Sequence, residues 1–443
     1  MNADQPRPIH NEAELTEAEK HKTLKKVVFS SFLGNFIEWF DYASYSYLAT
    51  VIALVFFPGE DKMVSTMMTF GVFALAFLVR PLGAIFWGNM GDKKGRKWAL
   101  SISILMMSGA TFLIGCLPGY AVIGVGAPLL LLLMRMVQSF SASGEYAGAA
   151  TFIAEYSPKN HRGFYCSMVP ASTAVGLLVG SLFATWMFNT FGATSDFVVN
   201  WGWRIPFLCS AVLVIIGLYV RLRMTETPIF RKAVEQDRVV KHPLRSLLPY
   251  WKEVLLGTFA MGITYSLFYV LGTWSLSYAV KVMKPPFSQN EYLAMQMVSV
   301  VFFAIFIFVT CIYSDKLGRK TVLISTTLAT LVFSLFAMQS LQHNVLTVML
   351  FLCVGFALMG GLFGPCGAYL PELFPTHVRY SGAGLSYNLA AILGGAFAPA
   401  ISTALVKSTG AVESVGWYLA VMSLLALIAL FLIKESKDED YEK

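Results

Sequence analysis

The chain has 443 residues, 56% of them hydrophobic and only 13% charged, with a formal net charge of +7. That balance is too apolar for a soluble domain of this size and excludes an ordinary water-soluble enzyme. A bilayer is the expected solvent.

Residues 1–26 are polar, mix acidic with basic side chains and hold no apolar segment ahead of a cleavage site, so they read as a cytoplasmic tail and not as a secretory signal. Beyond them, charge-free stretches of transmembrane length predict spans at 27–56, 64–90, 98–117, 121–155, 163–190, 203–221, 252–281, 290–314, 321–341, 345–371, 378–405 and 413–434. Pro118-Gly119 and His343-Asn344 mark reversals inside the longest apolar regions. The expectation is an all-α membrane protein of twelve spans: a bundle of six over 27–222, a central loop at 223–250, a second bundle of six over 251–434 and a short tail at 435–443.

Lys and Arg concentrate in the loops of one side, around Lys93 to Lys97, Lys159, Lys316 to Lys320 and Arg379, and in the 221–252 connection. The positive-inside bias predicts that this side, both termini included, is cytoplasmic. Topology thus accounts for the net charge without nucleic-acid binding. All six cysteines fall in apolar spans without C-x-x-C spacing, and all six histidines in tails or loops. Neither pattern suits a metal or a catalytic centre. No cofactor is expected, and lipid is the partner that composition implies.

One segment divides the chain into two similar halves. Gly88-Asn-Met-Gly-Asp-Lys-Lys-Gly-Arg-Lys97 returns in its core as Asp315-Lys-Leu-Gly-Arg-Lys320, with Asp315 lying 223 positions after Asp92. Glu155, Pro158 and Arg162 are matched at nearly the same step by Glu372, Pro375 and Arg379. Gly88 and Gly91 permit close backbone approach, and Gly95, like Gly318, permits a tight reversal. Asp92 is placed to face a helix N-terminus, and Arg96 and Lys97 follow as cations. The expected pairs are Arg96 with Glu155 and Arg319 with Glu372, forming a duplicated cytoplasmic gate.

Few ionisable residues fall deep inside spans: Glu38, Asp41, Arg80, Arg135 and Glu145, all in the first half. Each costs roughly 2.5 to 3.5 kcal/mol in lipid, so each should face the interior. Three carboxyls against two arginines leave one acid formally free, and the candidates for carrying a proton are Asp41 or Glu38, then Glu145. The competing reading is a static ion pair that sets helix register. Arg135 is the candidate anchor for a substrate carboxylate, with Gln138, Tyr42 and Tyr45 beside it. Arg80, which precedes Pro81, is expected either to bind substrate or to satisfy carbonyls freed by a kink. Tyr265 and Tyr269 form an aromatic face on span 7 with Phe268, and Tyr387 and Asn388 add polar groups on span 11. Glycines crowd span 10 from Gly355 to Gly367, where bending or close approach is expected.

The segment from Gly88 to Lys97 resembles the signature of the major facilitator superfamily. Within it, Gly34-Asn-Phe-Ile-Glu-Trp-Phe-Asp41, Arg80-Pro-Leu-Gly83, Arg135-Met-Val-Gln-Ser-Phe-Ser-Ala-Ser-Gly-Glu145, Trp201-Gly-Trp-Arg-Ile-Pro206 and Pro371-Glu-Leu-Phe-Pro375 are similar to the metabolite:proton symporter family, over about Lys25 to Lys434. That family includes carriers for proline and betaine, α-ketoglutarate, citrate and shikimate. Ser139 and Ser143 stand where relatives usually carry glycine. The resemblance implies proton-coupled symport of a small polar carboxylate, amino acid or betaine by alternating access. The alternatives are proton-independent uniport or exchange on the same fold, and a non-transporting sensor or channel.

Overall fold

The computed structural model describes residues 17–59, 62–192, 194–222, 225–236, 243–284, 286–342 and 344–437. Regular structure among them is helical, as lipid demands: without water, each backbone N–H and C=O must be satisfied within its own segment. Among the described residues nine helices are long and apolar enough to cross a bilayer on their own. The first, second and fourth spans complete the twelve. They run as Glu17–Tyr47 with Ala49–Phe56, Lys62–Leu78 with Arg80–Lys94, and Gly126–Ala142 with Glu145–Tyr156. These three interrupted spans carry every deep charge read from the sequence, which is why apolarity alone underrates them.

Several boundaries differ from expectation. The first helix is described as Glu17–Tyr47, so residues 17–26 continue span 1, while 1–16 lie outside the described residues. The central connection holds two short helices, Pro228–Glu235 and Pro243–Leu247. The first of these starts where it does because the Thr227 hydroxyl accepts from Phe230 N–H at 3.2 Å and Pro228 occupies the first turn. Glu435 to Lys437 pack back onto the second bundle, and 438–443 lie outside the described residues.

Span 10 is one continuous helix, Val345–Glu372, through Pro365. Its glycines serve close approach: a side chain at Gly360 or Gly364 would strike the main-chain carbonyls of Phe303 or Ile307 on span 8, Gln289–Leu317. Spans 7 and 11 each widen near their middles, at Val270–Trp274 and Ala391–Ala396, into single π turns.

Gly34 on span 1 sits against the Arg221 guanidinium and the Glu145 carboxylate, with no room for a methyl group. Gly34→Ala is therefore expected to destabilise by about 1–3 kcal/mol through overpacking, lowering the unfolding temperature in detergent. Gly109→Ala, at a site with nothing within 4 Å, should leave that temperature unchanged or slightly raised.

Candidate functional site

At the end of the bundle that carries the basic loops, each half is built the same way. Gly95 and Gly318 take φ 106° and 102°, a conformation that favours glycine, and turn the chain into Arg96–Cys116 and Arg319–Phe336. The new helix N-termini are capped by carboxylates that follow spans 6 and 12. Glu226 accepts from Arg96 N–H at 3.1 Å and Lys97 N–H at 3.0 Å. Glu435 accepts from Arg319 N–H at 2.9 Å and Lys320 N–H at 3.0 Å. Burial pushes the Glu226 carboxyl up from the ordinary range, against hydrogen bonds and the Arg96 charge that pull it down. Lys97 and Lys320 donate to the last carbonyls of the same spans, at Leu222 (2.9 Å) and Ile433 (2.8 Å). Neither glutamate stood out in the sequence. Their signal is position: each lies just past the last residue of its bundle.

The two expected pairs are present, Arg96 to Glu155 at 3.1 Å and Arg319 to Glu372 at 3.2 Å. Both lie within their own half, so they do not themselves join the bundles. Other groups cross. Arg379 donates to the same Glu155 oxygen at 3.1 Å, and Arg162 lies 3.5 Å from Glu372. Asp92 accepts from the N–H groups of Tyr380 and Ser381 at 3.2 and 2.9 Å, and from the Ser381 hydroxyl at 2.7 Å. Asp315 accepts from Gly163 and Phe164 N–H at 2.8 and 2.9 Å. Each aspartate thus caps the first turn of a helix in the opposite half. Gly88 and Gly91 admit this contact, because a Cβ on either would collide with Ser381 or Tyr380.

Deeper in, Arg80 donates to Glu38 at 2.8 Å and to the Asn388 amide oxygen at 3.0 Å. Asn388 in turn donates to the Ser143 and Gly384 carbonyls, both at 2.8 Å. This chain links spans 1, 2, 4 and 11 across the two bundles. Arg80 thus reaches side chains on spans 1 and 11, and Asn388 bonds the carbonyl at the break in span 4. Asp41 accepts from Thr111 Oγ1 at 2.9 Å and from Ser210 Oγ. Gln138 donates to the same Thr111 oxygen at 2.7 Å and accepts from Arg135 at 2.5 Å. The Arg135 guanidinium lies 4.1 Å from the Tyr45 ring centre and 5.2 Å from that of Tyr42.

One expectation is corrected. Glu145 is held by Nη1 and Nη2 of Arg221, and Arg221 Nη1 also donates to the Leu100 carbonyl at 2.6 Å. Arg221 closes span 6 and reads in sequence as a loop cation. With it the buried arginines equal the carboxyls in number, so no acid is formally in excess.

Aromatic rings close the centre between the bundles. Trp39 meets Phe268 at 5.2 Å, Phe77 meets Tyr269 at 6.1 Å, and Tyr146 stacks on Tyr387 at 4.1 Å and 5°. Tyr265 meets Tyr387 at 5.4 Å. Tyr45 instead donates to the Thr69 carbonyl at 3.1 Å. Between the rings remains a cavity of about 10 Å³ lined by Trp39, Met261, Thr264, Tyr265, Phe268, Met359 and Phe363, room for one water molecule.

Residues 26–245 match the family model described as "Sugar (and other) transporter", and residues 271–443 match "Major Facilitator Superfamily". The chain is 40% identical, over 94% of its length and 95% of the relative's, to the inner membrane metabolite transport protein YhjE of Escherichia coli. It is 35% identical to the citrate-proton symporter of Salmonella typhi, over 89% of this chain and 91% of that one. Its fold overlays the proton:xylose symporter XylE bound to 6-bromo-6-deoxy-D-glucose with a TM-score of 0.77, over 96% of this chain and 98% of that one, at 16% identity.

Asn388→Ala strips a partner from Arg80 and from the Ser143 carbonyl at once. A loss of about 1–3 kcal/mol is expected from the orphaned buried groups, read as a lower unfolding temperature of the purified protein.

Proposed function

Because this chain belongs to the major facilitator superfamily and its relatives are membrane carriers of metabolites, we propose that it is a proton-coupled symporter of a small polar organic solute. It works by alternating access, rocking one six-helix bundle against the other around the central cavity. The basic end, with both termini, faces the cytoplasm by the positive-inside bias, and the state described above is latched shut on that side. A single chain contains both halves of the latch and the central charges, so it acts as a monomer.

The observation that carries proton coupling is the linkage at Asp41. Its carboxylate is buried and held by two hydroxyls, one of which joins it through Gln138 to Arg135. A carboxylate held by neutral hydroxyls, with the nearest linked cation one amide away, can trade its charge for a proton without leaving a directly bonded cation unpaired. Glu38 and Glu145, by contrast, touch arginine directly. This geometry favours Asp41 as the proton carrier, Glu38 with Arg80 as a cross-bundle tie, and Glu145 with Arg221 as a fixed brace. When Asp41 is protonated, the restraint on Arg135 relaxes and the guanidinium is available to a substrate carboxylate.

The test uses proteoliposomes with an imposed pH gradient and a sodium gradient as control. Wild-type protein should accumulate solute against its gradient only when protons run inward. Asp41→Asn should abolish accumulation while retaining exchange of the same solute, and Glu145→Gln should lose both together as the brace fails. Accumulation by Asp41→Asn equal to wild type would remove Asp41 from the coupling role.

A further inference from the structure

The small central cavity carries a second message, in groups that the sequence did not single out. Trp39 and Thr264 line it, both are at most 5% exposed, and neither Trp39 Nε1 nor Thr264 Oγ1 has a hydrogen-bond partner. On the adjoining turn the second carboxylate oxygen of Glu38 is likewise buried and unpartnered. Buried donors without acceptors are rare and unfavourable. Their presence in one cavity, which has room for a single water in this closed state, marks a place where a solute admitted as the bundles part supplies the acceptor. The rest of the wall is Tyr265 together with Met261, Phe268, Met359 and Phe363, aromatic or polarisable side chains with no charge among them.

The charges around this cavity limit what it can hold. At the depth of Glu38 and Asp41, two carboxylates face two guanidiniums, Arg80 and Arg135, so the set is neutral when Asp41 is ionised. With one proton on Asp41 it carries a single positive charge. The structure shows no deep cation in the described spans of the second bundle to add to it, since Arg319, Arg379 and Lys320 are all engaged at the basic end.

We infer that the substrate is a small solute bearing one carboxylate and a net charge of −1 or 0. Its carboxylate sits toward Arg135, and its uncharged or cationic body sits against Trp39, Phe268 and Met359, with an acceptor presented to Trp39 N–H and Thr264. Di- and tricarboxylates are excluded, unlike the substrate named for the citrate-proton symporter relative. Each further negative charge would lie in the membrane interior without a counter-ion, a penalty of roughly 100-fold in affinity. Trp39 is then a specificity-determining residue. This assignment rests on the symport reading above and narrows it.

The full chain in proteoliposomes is tested with glycine betaine, proline, benzoate, succinate and citrate, each as competitor and as labelled solute. At least one of the first three is expected to accumulate, with succinate and citrate neither accumulating nor competing at 100 times its half-saturation concentration. Trp39→Phe keeps the ring and removes the N–H. It should raise half-saturation about tenfold while the maximal rate and the unfolding temperature stay at wild-type values, and Thr264→Val should act in the same direction. Accumulation of succinate or citrate overturns the charge limit, an unaltered half-saturation in Trp39→Phe overturns the placement of the solute against Trp39, and either result leaves proton symport standing. Accumulation indifferent to the pH gradient does the reverse.

Discussion

A charge in the bilayer interior must be answered by another charge or by a full set of hydrogen bonds, and this requirement organises the molecule from its centre to its basic end. The guanidiniums of Arg80, Arg96, Arg221, Arg319 and Arg379 each meet a carboxylate in the described structure. Where a carboxylate has no direct cation, as with Asp41, hydroxyls stand in. The arrangement differs between the two regions in a way that bears on movement. At the centre the first bundle supplies the ions and the second answers mainly with Asn388 and aromatic rings. At the basic end both bundles contribute alike.

That likeness is what would let the proposed gate close one side of the molecule with a single device. Each half offers an aspartate to a helix N-terminus of the other, and each half presents a glutamate that holds one arginine of its own and meets one from across. The contacts are directional and charge-assisted, so they are strong when aligned and are lost over a small rotation. A continuous apolar interface would slide; an array of this kind is either engaged or released, which suits a two-state carrier. Glu226 and Glu435 extend the device to the segments that follow each bundle, tying the loop glycines to those chain segments.

Much of this was legible in the sequence because it rests on repetition and on rarity. Twelve apolar stretches, a duplicated Gly-Asp-Gly-Arg segment and five charges in otherwise apolar spans are conspicuous by composition alone. The partners that were missed are residues whose type is ordinary where they stand. Arg221 looks like any cation at a span end, yet it turns inward to Glu145 past Gly34. Thr111 and Ser210 are hydroxyls in apolar helices, and most such hydroxyls bond their own backbone, as Ser108 and Thr330 do. Only the packing of spans 3 and 6 against span 1 brings two of them to Asp41. Trp39 stands unremarked inside the Gly34 to Asp41 segment, and the side on which Tyr42 and Tyr45 face Arg135 while Trp39 faces Phe268 is set by helix rotation, which periodicity alone does not reveal.

The central claim is that the duplicated charge array holds the basic ends of the two bundles together. Spin labels at Lys93 and Lys316, exposed positions on opposite halves, measure it directly as an interbundle distance. Wild-type protein should give a narrow, short distribution, and Glu155→Gln combined with Glu372→Gln should shift most of the population to a longer one as the basic end opens. A distribution unchanged by the double substitution would contradict the account, because the ends would then be held by something other than these ions.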